Sequence, residues 1–176
     1  MRKLKNNELG RKTIEEYKQS SKIPLTIVLD NIRSMNNIGS VFRTSDAFSV
    51  DKIFLCGISA QPPHNDIRKT ALGATESVDW EYFVTTEDAV NQLKSEQYII
   101  ISIEQAENSI LLQDFEIDSE RKYALIFGNE VKGVQQNIVD MSDYCIEIPQ
   151  EGTKHSLNIS VSAGVVLWDL YKKIKF

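Results

Sequence analysis

The sequence predicts an α/β fold in which helices cover both faces of a mostly parallel sheet. Short apolar runs of strand length recur along the chain, and segments with helical periodicity lie between them. Such an alternation is typical of parallel sheets, because each crossover helix packs on a face of the sheet. We therefore expect residues 1–22 to form a helical extension and residues 23–176 to form one α/β domain.

The strands are predicted from runs of aliphatic and aromatic residues that polar or turn-forming residues interrupt. Residues 25–29, 52–56, 80–84, 98–103, 123–127 and 144–148 fit this description. Turn-forming residues, including two adjacent prolines, occupy residues 57–66, which are predicted to form an irregular loop.

Helices are predicted where apolar residues recur every three or four positions. The first covers residues 7–20, and the second starts at Ile38, after a polar loop over residues 31–37. Arg43 is expected to project from this second helix near its N-terminal end. Two more helices are predicted over residues 86–95, with Thr86 as the N-cap, and over residues 135–141.

The C-terminal segment is also predicted to be helical, although its first residues alternate as a strand would. One helical face collects four apolar residues: Leu157, Val161, Val165 and Trp168. Lysines close the segment, as is common in the last turn of a helix.

The composition indicates an ordinary globular chain, with 41% hydrophobic and 26% charged residues. No apolar run approaches the length of a membrane span, and the start lacks the apolar core of a signal peptide. The two isolated cysteines form neither a disulfide framework nor a metal site. A cytoplasmic location without membrane or metal partners is therefore expected.

The net charge of −5 is unevenly distributed along the chain. Residues 1–22 hold seven basic and three acidic residues, whereas residues 79–120 hold eleven acidic residues and one lysine. The N-terminal part could therefore face a polyanion although the chain as a whole is acidic. A solvated surface without any partner explains the same charges equally well.

Three polar motifs stand out between the apolar segments. They are Asn37-Ile38-Gly39 with Arg43-Thr44, the segment FGNEVKG from Phe127 to Gly133, and Ser156-Leu157-Asn158 after Ile148-Pro149. A loop rich in Ser, Asn and Gly between buried elements suggests a ligand site, because its backbone polar groups need partners. A surface loop before a core helix is the simpler interpretation of the third motif.

Taken together, the motifs resemble those of the SpoU-type, TrmH-like 2′-O-ribose RNA methyltransferases of the SPOUT superfamily, over residues 25–172. This resemblance implies a deep trefoil knot in the C-terminal part of the fold and a bent S-adenosylmethionine in the cleft that the knot forms. It also implies that Gly128, Ile148 and Leu157 contact this cofactor through their backbone and that Glu104 borders the pocket. No G-x-G turn of the Rossmann type occurs in the sequence.

The same resemblance implies a polar active-site set: Asn37, Arg43, Glu130, Ser156 and Asn158. Arg43 is expected either to clamp a phosphate of a tRNA or rRNA substrate or to act as the base for the ribose 2′-hydroxyl. Glu130 is expected to orient Arg43 or to receive the proton, and Asn158 to fix the loop. Ser156 is a candidate N-cap of the last helix.

Several alternatives stay open from the sequence. A non-catalytic RNA- or cofactor-binding module would share the fold, and methylation of a base is a weaker alternative to methylation of the ribose. The N-terminal helix either grips RNA or packs on the body, and residues 68–74 either approach a phosphate or end a solvated helix. The resemblance finally implies a homodimer, with Val165, Trp168 and Tyr171 at the interface.

Overall fold

The computed structural model describes residues 1–176, apart from the side chain of Asn6. Its centre is a seven-stranded sheet with the strand order β3-β2-β1-β6-β4-β7-β5. The strands are β1 Ile23–Asp30, β2 Val50–Cys56, β3 Asp79–Phe83, β4 Ile99–Ile103, β5 Ile110–Leu111, β6 Tyr123–Phe127 and β7 Tyr144–Glu147. Every neighbouring pair runs parallel, which confirms the predicted parallel sheet.

Helices cover both faces of the sheet, as predicted. They are α1 Ile14–Gln19, α2 Met35–Ala47, α3 Asn65–Ala71, α4 Ala74–Ser77, α5 Thr86–Ser95, α6 Gln136–Met141 and α7 Ile159–Lys175. One apolar core lies between the sheet and the face covered by α2, α3, α4 and α7, and a second lies beneath α5 and α6. The trefoil knot stays a prediction.

The predicted helix over residues 7–20 is wrong in its first half. Helix α1 begins only at Ile14, because Gly10 adopts a left-handed φ of +57° and Thr13 forms a capping box with Glu16. The Thr13 hydroxyl accepts from the Glu16 backbone N–H at 3.2 Å, and Glu16 Oε2 accepts from the Thr13 N–H at 2.7 Å. Tyr17 is only 6% exposed, so α1 packs on the body of the protein.

Helix α2 begins earlier than predicted, so the expected loop up to Asn37 is shorter. Its first residue is Met35, and the Ser34 hydroxyl caps it by accepting from the Asn37 N–H at 3.3 Å. Asn37 therefore lies in the first turn of α2. Arg43 lies in the second half of the helix, not near its N-terminal end as predicted.

Two corrections concern the segment between β2 and β4. The predicted irregular loop ends at His64, which caps α3, and α3 is followed by left-handed Leu72 and Gly73. Residues 68–74 are thus a helix end and a tight turn, and a role in phosphate binding stays a prediction. The N-cap of α5 is Thr85 rather than Thr86, whose buried hydroxyl instead donates to Asp30 Oδ1 at 2.6 Å.

At the C-terminus, α7 begins after Asn158, whose side-chain oxygen accepts from the Ser160 N–H at 2.9 Å. Ser156 is therefore not the cap that the sequence suggested, and Leu157, predicted to lie on the helix, precedes α7. Val161, Val165 and Trp168 do share one face of α7, and all three are exposed. Among the described residues, no helix is both long and apolar enough to cross a membrane.

Candidate active site

A cleft of about 530 Å³ opens where β4, β6 and β7 end. Its walls are the residues that follow these three strands together with the segment leading into α7. Because parallel strands place their carboxyl ends at one edge of a sheet, loops that are distant in sequence meet here. The cleft is the meeting point of two of the three polar motifs.

Gly128, Ile148 and Leu157, the predicted cofactor-binding residues, all line this cleft. The structure gives a different reason for the glycine than approach to a ligand. A methyl group at Gly128 would overlap the backbone of Gly133 and Val134, where the loop after β6 folds back on itself. The absence of a side chain at this position is therefore required by the loop even without a ligand.

Asn129 organises the loop over residues 128–134, a role that the sequence motif does not reveal. Its side-chain oxygen accepts from the N–H groups of Val131 and Lys132 at 3.0 and 3.1 Å. Its side-chain amide donates to the carbonyl of Asn31 at 2.7 Å and so ties the loop to the end of β1. A short Asx turn of this kind was recognisable from the residue type, but its partner across the sheet was not.

Glu130 is held at the N-terminus of α2. Its carboxylate accepts from the backbone N–H groups of Arg33 at 3.0 Å and Ser34 at 2.9 Å, and from the side-chain amide of Asn37 at 3.1 Å. Burial acts to raise the pKa of the Glu130 carboxyl, but these donors outweigh it and lower the pKa below its ordinary value. Within one chain, Glu130 contacts the start of α2 and not Arg43.

Asn37 links the second motif to the third. While its amide nitrogen donates to Glu130, its side-chain oxygen accepts from the Asn158 amide at 3.2 Å. In a usual capping box the third helical residue would bond back to the N-cap N–H. Here Glu130 satisfies the Ser34 N–H from a distant loop, which leaves the Asn37 side chain free to reach Asn158.

Ser156 lines the cleft beside Leu157 and is exposed to solvent.

Arg43 is the predicted site residue that the fold does not bring to this cleft. It lies six positions after Asn37, which rotates it by roughly 120° around α2. Arg43 instead lines a second groove, of about 810 Å³, together with Arg11 and Lys12 of the N-terminal segment.

Asp30 is a buried carboxylate at the end of β1, and its sequence position alone does not indicate a role beyond the end of the strand. Its carboxylate accepts from the Thr86 hydroxyl at 2.6 Å and from the Gln135 backbone and side chain at 3.1 and 2.9 Å. These bonds fasten the end of β1 to the start of α5 and to the end of the loop over residues 128–134.

Comparison with known proteins decides the family. The family model described as the SpoU rRNA methylase family matches residues 24–168, which is most of the chain. The chain belongs to the SpoU rRNA methylase family. The three polar motifs all lie within the part of the chain that the family model covers.

Among SpoU relatives, an uncharacterized tRNA/rRNA methyltransferase from Borreliella burgdorferi is 30% identical over 151 residues. The match covers 84% of this chain and 64% of that relative, so the chain spans less than two thirds of the relative's length.

Two solved structures show the same fold. An AdoMet-bound rRNA methyltransferase from Sinorhizobium meliloti superposes with a TM-score of 0.81 at 21% identity, covering 93% of this chain and 60% of that one. An RNA 2′-O ribose methyltransferase superposes with a TM-score of 0.78 at 19% identity, covering 88% of this chain and 58% of that one. The chain therefore shares the fold of these two RNA methyltransferase structures. Within the described part of the chain, no group of three or more His, Cys, Asp or Glu residues could hold a metal ion.

Proposed function

We propose that this chain transfers a methyl group from S-adenosylmethionine to a ribose 2′-hydroxyl of tRNA or rRNA. The observation that carries the proposal is that Asn37 joins the motifs of Glu130 and Asn158 at the rim of one cleft. Membership of the SpoU family supports the methyl transfer, and the S. meliloti structure supports the cofactor. The likeness to a 2′-O ribose methyltransferase supports the ribose as acceptor.

The cleft suits a cofactor of this size and chemistry. Its volume of about 530 Å³ falls within the range of small-molecule sites. Apolar Ile103, Phe127 and Ile148 line it beside the exposed polar residues of the loop at 149–157. When bound, S-adenosylmethionine would supply an activated methyl group on a positively charged sulfur. We assign its seat to Gly128, Ile148 and Leu157.

The polar residues divide into a hydrogen-bonded frame and a separate cation, Arg43. Glu130, Asn37 and Asn158 hold one another, so their part is to fix the start of α2 and of α7 against the cleft. Because Glu130 is already bonded to three donors and its pKa is lowered, it is a weak proton acceptor at neutral pH.

Arg43 is best suited to hold a phosphate of the substrate. Its exposed guanidinium makes no salt bridge within the described residues and lies beside Arg11 and Lys12. These three cations outnumber the one carboxylate in the groove, that of Asp46, and a net positive groove suits the backbone of a nucleic acid. A guanidinium keeps its proton at neutral pH, so we infer a clamp and not a general base.

A second copy of the chain would bring its Arg43 to the cleft that we assign to S-adenosylmethionine. Next to the cleft, and sharing Ile148 with it, an apolar groove of about 550 Å³ runs along α7 past Val161, Val165 and Trp168. The Phe48 ring, at the end of α2, lies near the Trp168 ring with centroids 6.0 Å apart and the planes tilted by 42°. A symmetric partner on this face would therefore seat its α2, and with it Arg43, beside the first chain's cleft.

The test is to map 2′-O-methylated nucleotides in total RNA from cells with and without the gene, and to repeat the reaction with purified protein. We expect at least one site to disappear in the deletion and to be restored in vitro by the protein with S-adenosylmethionine. If the protein binds S-adenosylmethionine but no methylated nucleotide changes, a non-catalytic binding module is the correct function. A changed base methylation would contradict the ribose assignment.

A further inference from the structure

Two adjacent residues at the end of β4 reach opposite walls of the cleft. Glu104 Oε1 accepts from the Val134 N–H at 2.9 Å, in the loop that follows β6. The Gln105 side-chain amide donates to the carbonyl of His155 at 2.9 Å, in the segment that leads to α7. The two partners lie 30 and 50 residues away in the sequence, and both Glu104 and Gln105 line the cleft between them.

The contact on the first wall depends on a glycine. Gly133 has a left-handed φ of +68°, and a methyl group at this position would overlap Glu104 Oε1. The carboxylate thus sits directly against the peptide between Gly133 and Val134. Other bonds hold the loop over residues 128–134 to β1 and α2, whereas among the described residues this one joins it to the chain that follows β4.

A single hydrogen bond holds the second wall of the cleft. Among the described residues, the bond from Gln105 to His155 is the one hydrogen bond that joins residues 149–157 to another part of the chain. This segment is exposed and carries Ser156 and Leu157 into the cleft. Its position relative to the opposite wall therefore depends on Gln105.

We propose that Glu104 and Gln105 are positioning residues that hold the two walls of the cleft at the spacing that S-adenosylmethionine requires. The proposal rests on the cofactor assignment made above. Glu104 acts as a hydrogen-bond acceptor for the loop backbone and not through its negative charge. Gln105 acts as the tether of the segment that closes the other side.

The test compares binding of S-adenosylhomocysteine and S-adenosylmethionine, by calorimetry, to four purified variants. Glu104→Ala and Gln105→Ala are each expected to weaken both ligands by about tenfold, the upper part of the range for losing one hydrogen bond; the Glu104 bond is partly buried and the Gln105 bond is exposed. Glu104→Gln keeps a side-chain oxygen for the Val134 N–H, so it should restore most of the affinity that Glu104→Ala loses. Glu107→Ala, on the same loop and exposed, serves as the matched control.

Steady-state methylation separates positioning from general loss of structure. In Gln105→Ala we expect the KM for S-adenosylmethionine to rise about tenfold, while the KM for RNA and kcat at saturating cofactor stay within about twofold. Loss of thermal stability with unchanged ligand affinity would overturn the proposal. So would a Glu104→Gln variant as weak as Glu104→Ala, because that result would assign the role to charge.

Trypsin cleavage in the absence of cofactor tests the role of Gln105 independently of the proposed function. Lys154 lies in the tethered segment and offers a trypsin site, and Gln105→Ala should be cleaved there about ten times faster than the wild type. Equal cleavage rates would show that the tether does not hold the segment, whatever the protein methylates. If the wild type binds S-adenosylmethionine but modifies no RNA, the proposed function is refuted. The roles of Glu104 and Gln105 in cofactor binding are then still decided by the calorimetry of the variants.

Discussion

At the scale of single residues, the Glu130 carboxylate joins the loop after β6 to the start of α2. It belongs to the loop after β6, yet its bonds satisfy N–H groups at the start of α2. The motif was visible in the sequence, but its purpose was not. Asn37 was identified from its motif, whereas its bridging role depends on partners 93 and 121 residues away.

Glu130 should make the stability of the protein depend on pH. Because its pKa is lowered in the folded state, its contribution is fully present above the ordinary pKa of glutamate. The contribution is lost as the pH falls from that value through the lowered pKa of the folded state. We expect Glu130→Gln to have a smaller free energy of unfolding than the wild type at pH 7, with the difference disappearing at low pH.

Urea unfolding at pH 7 and at several acidic values would measure this effect. Glu107→Gln is the appropriate control, because Glu107 is exposed and should show no such difference. A gap between wild type and Glu130→Gln that persists at the lowest pH would rule out the charged hydrogen bonds as its cause.

Arg43 can be tested apart from the cofactor site, because it lies in another groove. Arg43→Ala is expected to lower methyl transfer by about 100-fold or more, as removal of a charge-stabilising group commonly does. The affinity for S-adenosylmethionine should remain within a few-fold of the wild type. Arg43→Lys keeps the charge and loses the planar fork, so residual activity in this variant would indicate a simple charge clamp. Normal turnover by Arg43→Ala would refute the assignment of the first motif.

At the scale of elements, the strands were predictable and several helix boundaries were not. Buried strands in a parallel sheet are apolar along their whole length, which makes them visible without tertiary information. The start of α2 was placed three residues late because Met35 and the two asparagines after it give a weak helical signal, although Ser34 offered a cap. The break at Gly10 and the cap at Thr13 were readable in principle, yet the periodicity of the flanking residues hid them.

The packing of α2 against α3 depends on Gly39. A methyl group there would overlap the Thr70 hydroxyl oxygen and the carbonyl oxygen of Ile67. Gly39→Ala is therefore expected to lower the free energy of unfolding by about 1–3 kcal/mol, the usual cost of overpacking. Gly152→Ala, at an open position without a positive φ in the exposed segment before α7, should instead raise it by about 0.4–1 kcal/mol. Urea titration of both variants measures the free energy of unfolding. Equal changes in the two variants would contradict the close approach of α2 and α3.

At the scale of the whole molecule, the sequence predicted a parallel sheet but not its strand order. Strand β6 lies between β1 and β4. Its pairs with β4 are more than 20 residues apart in the sequence, and its pairs with β1 are nearly 100 residues apart. Local patterns carry no information about such partners. For the same reason, the sequence placed the polar set in one site, whereas within one chain the fold separates Arg43 from the rest.

This separation predicts that two inactive variants can restore each other. Arg43→Ala lacks the clamp, and Leu157→Arg blocks the donor cleft, so neither homodimer should methylate RNA. If each site takes Arg43 from one subunit and the cleft from the other, a re-equilibrated equal mixture should recover about one quarter of wild-type activity.

A mixture that stays inactive would show that one chain forms the whole site. Sedimentation provides the accompanying control, because the wild type should have twice the 20.0 kDa mass of one chain at micromolar concentration. Trp168→Asp, which places a charge on the exposed face of α7, should shift the protein toward the single-chain mass.

The location of β6 also has a consequence for synthesis on the ribosome. Strand β1 is complete at Asp30, but its second neighbour is not translated until Phe127. At about 5–20 residues per second, this interval lasts on the order of 10 s. During that time one edge of β1 has no partner in the nascent chain and is open to pairing with other nascent chains. Slower translation over residues 31–127 therefore prolongs the time for which this edge is unpaired.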